Sequence, residues 1–110
     1  WTKDRVKGDK IPLEFLIRKQ TKETAETFGL MDRGQIKEGY MADINIIDHD
    51  NLCVYKPEMV HDLPTGSRRI IQKAGGYIAT IKSGVVTFKN DEATGELPGT
   101  LIRGEQAAHA

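Results

Sequence analysis

The residues able to do chemistry in this 110-residue sequence are three histidines, one cysteine and sixteen carboxylates, and their spacing decides what chemistry is open to them. His49 and Cys53 are four apart, a spacing that on a helix would aim two ligands one way. Asp48 to Asn51 reads as a turn, however, and no second pair follows at zinc-motif distance. His61 and Asp62 are neighbours, but adjacent residues of an extended chain point to opposite sides, and no Ser or Cys is tied to them as a nucleophile. Both read as exposed loop residues, and His109 as part of a solvated tail. Cys53 stands alone, which excludes an internal disulfide or a cysteine-rich zinc site and makes it a small half-buried hydrophobe. Gly75-Gly76 precedes a strand, whereas a phosphate loop needs its glycines between a strand and a helix. No catalytic, cofactor-binding or metal-ligating residue is assigned to any position.

Charge points the same way. Sixteen basic and sixteen acidic residues cancel, and aromatic residues are only 6%. The one local basic cluster, Arg68-Arg69 and Lys73 near Tyr77, is too small for a nucleic-acid partner. Glu14 with Arg18 and Lys19 with Glu23 have helical ion-pair spacing, and Asp91-Glu92 marks a loop tip, so these are solvated charges. No apolar run approaches the ~20 residues of a membrane span, so no membrane partner is expected. The lone cysteine and the lack of a leader-like start suit a reducing, cytoplasmic setting. A complete TIM barrel needs roughly 250 residues, so a barrel protein would be represented here only by a piece, which the opening at Trp1 without Met also suggests.

The elements that must position these residues are short. Residues 1–10 read as a linker. Pro12 and Glu14 suit the start of a helix over about 12–20, with Leu13, Leu16 and Ile17 on one face. Thr21 suits the cap of a second helix through about Phe28, and Gly29 its left-handed end. From Gly34 onward the glycines divide the chain into antiparallel strands. Asp43 to Asp48 alternates as one, turning at His49-Asp50-Asn51. Residues 68–73 and 100–103 read as two more. Tyr77 to Asn90 reads as a hairpin about Ser83-Gly84, pairing Lys82 with Val85, Ile81 with Val86, Thr80 with Thr87 and Ala79 with Phe88. That register sets Ile81, Val86, Ala79 and Phe88 on one inner face.

The segments Pro12-Leu13-Glu14, Arg18-Lys19-Gln20-Thr21, Phe28-Gly29-Leu30 and Asp32-Arg33-Gly34-Gln35-Ile36-Lys37-Glu38-Gly39-Tyr40-Met41-Ala42-Asp43-Ile44, in that order, resemble the end of a metal-dependent amidohydrolase. There the last barrel helix leads through G-x-I-x-x-G-x-x-A-D into a β-sandwich strand. Leu63-Pro64-Thr65-Gly66, the Gly76 to Gly84 segment and Thr94-Gly95-Glu96-Leu97-Pro98-Gly99-Thr100-Leu101-Ile102-Arg103-Gly104 look like the C-terminus of the N-acyl-D-amino-acid deacylase (D-aminoacylase) group. The resemblance implies an α+β, mainly β fold: two short N-terminal helices, then antiparallel strands forming part of a small β-sandwich. It divides the chain into 1–30, the end of a barrel domain; 31–104, the sandwich segment; and 105–110, a disordered tail. It implies amide C–N hydrolysis in the parent by water activated on a metal, expected to be zinc. The H-x-H pair, bridging ligand and catalytic aspartate of that group have no counterpart here, so the chain by itself is expected to be structural and inactive. Its expected partners are the parent's barrel and N-terminal β strands, or in isolation a second copy of itself. The alternative is an autonomous small β-rich interaction module.

Overall fold

The computed structural model describes residues 2–107. The chain forms two compact units, one running from the N-terminus to Asp43 and including the segment from Thr100 onward, the other Ile44–Gly99.

In the first unit the two expected helices are joined. Helix α1 (Leu13–Arg18) runs without a break through a widened π turn, Lys19–Glu23, into α2 (Thr24–Thr27). Thr21 does not cap: its Oγ1 donates to the Ile17 carbonyl at 2.8 Å, and Thr24 and Thr27 reach back to the Lys19 and Glu23 carbonyls at 2.8 and 2.7 Å. Threonine hydroxyls bound to carbonyls of the previous turn satisfy the helix from within and favour local distortion over termination. Lys19 and Arg18 both reach Glu23, at 2.7 and 3.2 Å, and so bridge the wide turn. The helix ends as the sequence requires. Gly29 has φ +70°, its N–H donates to the Glu26 carbonyl, and the Leu30 N–H donates to that of Ala25, the paired bonds of a left-handed glycine cap.

Residues 100–103 do not form the expected strand. A four-residue segment becomes a strand only where an edge accepts its backbone bonds. Here the pairing comes later, at Gln106, which lies parallel to Leu30, accepts from the Met31 N–H at 2.8 Å and donates to the Gly29 carbonyl at 2.9 Å. The segment expected to be loose from 105 on is therefore held at Gln106. His109, expected in that tail, lies outside the described residues.

The second unit is all β. Strands β1 (Ile44–Ile47), β6 (Tyr77–Lys82), β7 (Val85–Lys89) and β8 (Glu92–Ala93) form an antiparallel sheet in the order β1-β6-β7-β8. Between β1 and β6 a ribbon leaves the sheet and returns. Its strands β2 (Cys53–Val54) and β3 (Glu58–Val60) run out; β4 (Arg69–Ile71) and β5 (Ala74–Gly75) come back, pairing β2 with β5 and β3 with β4. The Tyr55 N–H donates to the Lys73 carbonyl, joining the two ladders into one arm.

The β6–β7 hairpin turns at Ser83-Gly84 with φ +52° and +80°, as its sequence suggests, and begins in the expected register. It then departs. Lys82 pairs with Val85 and Ile81 with Val86, but Thr80 pairs with Phe88 and Ala79 with Lys89. Thr87 is the extra residue of a β-bulge, its hydroxyl donating to the Thr80 carbonyl at 3.1 Å. Phe88 is thereby moved off the face of Ala79 and Ile81 and onto that of Thr80 and Lys82. A second tight turn, Asn90-Asp91 with φ +49° and +65°, carries the chain into β8. Thr94 then fastens the bulge, its N–H bonding the Thr87 carbonyl and its hydroxyl that of Val86.

The architecture is thus α+β and mainly β, but it encloses almost no core. Among the described residues only Ala25, Asp32 and Gly75 are buried, while Phe28, Ile36 and Leu97 are 71, 89 and 92% exposed. The accessible surface is 8,992 Å² for 12.3 kDa. A folded monomer of that mass exposes about 6,100 Å², and two independent units of half the mass about 7,300 Å² together. Much of the apolar surface of these elements is therefore open to solvent.

Candidate functional site

An organised polar group among the described residues is an ionic clip of Asp32, Arg33 and Asp43 in the turn after the helix. Asp32 is 5% exposed. Its two carboxylate oxygens accept from Nε and Nη2 of Arg33 at 2.8 and 3.0 Å, a forked pair, and Arg33 Nη1 reaches Asp43 at 3.5 Å. The Asp32 carbonyl accepts the Met41 N–H at 2.8 Å, so the clip also closes the loop between them. Gly34, at φ +86°, lets this loop lie on the helix. A Cβ there would stand 2.9 Å from the Thr21 carbonyl oxygen and 3.0 Å from Lys22 Cα. The hydrogen bond to Asp32 raises the Arg33 guanidinium above its ordinary range, more than offsetting burial. The clip fastens a turn.

The ribbon carries the second organised group. At its far end Arg69 Nε and Nη2 fork onto Asp62 at 2.7 and 2.5 Å, and Thr65 hydrogen-bonds Ser67 at 2.7 Å. Arg69 lowers the Asp62 carboxyl below its ordinary value. Asp62 therefore serves Arg69 and does not orient His61, which is exposed beside it. At the base of the ribbon Cys53 is an exposed free thiol. Its hydrogen bond to the Tyr55 hydroxyl raises that phenol, and both side chains crowd the position a Cβ on Gly75 would take.

His49 sits in the turn after β1, where the Asp48 carboxylate accepts the Asn51 backbone N–H and side-chain amide at 3.2 and 2.7 Å. His49 and Cys53 are thus on a turn and a strand, not on one helical face. Among the described residues no three His, Cys, Asp or Glu side chains converge as metal ligands. Those residues do not fit a zinc site. Gly76, at φ +96°, serves β-sheet geometry: it packs against the Leu52 backbone, and its carbonyl accepts the Asp48 N–H. Lys19 with Glu23 forms the ion pair its spacing suggested. The Asp32–Arg33–Asp43 clip and the Cys53–Tyr55 contact were not read from the sequence. The signal for the clip was present in the charged residues of the D-R-G and A-D ends of one turn.

Comparison with known proteins gives the family. Residues 3–88 match the model of the amidohydrolase family, and the chain belongs to that family. It is 32% identical over 91 residues to a D-aminoacylase of Alcaligenes xylosoxydans xylosoxydans, a match taking in 83% of this chain and 17% of that protein. The chain thus spans less than one fifth of the length of the curated relative it matches. No solved structure gives a significant match.

Proposed function

We propose that these 110 residues are a structural segment of a hydrolase resembling D-aminoacylase, comprising the last helix of its barrel and part of its β-sandwich. In this reading the intact protein hydrolyses the amide C–N bond of N-acyl-D-amino acids, and this segment carries no catalytic group. The observation that carries it is the exposed surface, about 1,600 Å² beyond what two self-sufficient units of this mass would leave open. Apolar side chains such as Phe15, Ile17 and Phe28 on the helical segment, and Ile46 and Val86 on the sheet, are exposed and call for apolar cover. Barrel elements would cover the first set and N-terminal strands of the same protein the second. The metal of such an enzyme, zinc, would be held by that remaining portion, since the donors here do not converge. An exposed, unpaired Cys53 suits a reducing cytoplasm.

The test is the coding sequence upstream of Trp1 together with an assay. The reading expects an open frame continuing into a barrel with an H-x-H pair. It also expects release of free amino acid from N-acetyl-D-amino acids by the full-frame product and none by the 110-residue chain with added zinc. Activity of the short chain alone, abolished by chelator, would overturn it. So would an upstream sequence that encodes no barrel.

A further inference from the structure

The open edges of the Ile44–Gly99 unit are not equivalent. Strand β8 is two residues long and begins with the charged Glu92, and the ribbon strands are two or three residues long, with Arg69 in β4 and Lys56-Pro57 between β2 and β3. Short length, charge and proline are the ordinary guards against edge-to-edge pairing. Strand β1 is the longer, at four residues, and has neither charge nor proline within it. Ile44-Asn45-Ile46-Ile47 is a run of strong strand formers bonded on one side only, to β6, and the irregularity in that pairing places its extra residue, Ile78, on β6. The outer backbone of β1 is thus regular. Asn45 and Ile46 beside it are exposed.

We propose that in the 110-residue chain a second copy pairs antiparallel along β1, joining two four-stranded sheets into one of eight. Opposed residues of an antiparallel ladder share a face, so Asn45 of each copy then lies opposite Asn45 of the other, and Ile44 opposite Ile46. The aspartates that flank β1 already have partners: Arg33 for Asp43 and Asn51 for Asp48. Size permits it. A standard interface takes about 800 Å² from each partner, and the surface in excess of two self-sufficient units is about twice that. The inference stands on the chain as given. It fails or holds independently of the hydrolase reading, which the upstream sequence decides.

Light scattering on a sizing column tests it, over about a hundredfold range of concentration, because dimer population follows mass action. The expected mass is twice 12.3 kDa at the upper end, falling toward the monomer on dilution. Asn45→Lys, at an exposed position, should give a monomer throughout, and Met59→Lys on the ribbon should leave the dimer unchanged. Amide exchange on the unsubstituted chain should show protection within Ile44–Ile47 rising with concentration. A monomer at all concentrations overturns the proposal, as does a dimer that survives Asn45→Lys or is lost only in Met59→Lys. Exchange at β1 that ignores concentration overturns it as well.

Discussion

Gly34 and Thr21 are in closer register than their thirteen-residue separation suggests: a Cβ on the glycine would meet the threonine carbonyl oxygen at 2.9 Å. The turn after the helix is therefore laid directly on the helix backbone. Gly34→Ala must move backbone as well as adopt φ +86°. Gly84, at φ +80°, faces open space, so Gly84→Ala bears the conformational cost alone. Urea unfolding followed by circular dichroism should show a loss of about 1 kcal/mol for Gly84→Ala and at least twice that for Gly34→Ala. Equal losses would mean that the close approach contributes nothing.

Asp32 is the carboxylate whose removal should be felt most. Its side chain is 7% exposed and that of its partner Arg33 14%. Truncating one member of a buried pair strands the other and costs about 3 kcal/mol. Asp32→Ala should lower the unfolding midpoint and loosen the loop to Met41, whose amide should exchange faster. Asp62→Ala, at the exposed ribbon tip, should have far less effect on the midpoint.

The ribbon tip has a pH dependence of known sign. Arg69 lowers the Asp62 pKa in the folded state below its ordinary 3.8. The contribution is fully present above about 3.8 and is lost as pH falls through the lowered value, when the folded state must take up a proton. A carboxyl titration by NMR should place Asp62 below 3.8, and Arg69→Gln should move it back up. An Asp62 that titrates alike in both proteins would remove the pair from solution.

Zinc gives a direct check on the donor set. Equilibrium dialysis of the 110-residue chain should retain no stoichiometric zinc, because His49, His61 and Cys53 do not converge with other donors. Tight one-to-one retention lost on His49→Ala would contradict the arrangement found here.

The features legible in the sequence are those set by neighbouring residues. Gly29 as a helix end, Ser83-Gly84 as a tight turn and Ile44–Ile47 as a strand follow from local φ preference and alternation. The features missed depend on distant partners. Thr21 resembles a cap until its hydroxyl is seen to bond Ile17. The side on which Phe88 lies depends on Thr87 taking the Thr80 carbonyl, a choice that no two-residue alternation encodes. The ribbon was largely hidden because its strands are two or three residues long with Pro57 among them, too short for periodicity to register. The clip joins Arg33 to a neighbour and to a residue ten positions on, and only the folded turn brings them together.

The pairing of Cys53 with Gly75 makes the base of the ribbon a closed doorway: the chain leaves the sheet and re-enters at the same place. Everything between is an insertion in the literal sense. A short linker across that base would leave β1 and β6 adjacent, and because closure cost grows only slowly with loop length, a longer arm fits equally well. A tag or a second domain spliced into this arm is therefore expected to leave the sheet undisturbed.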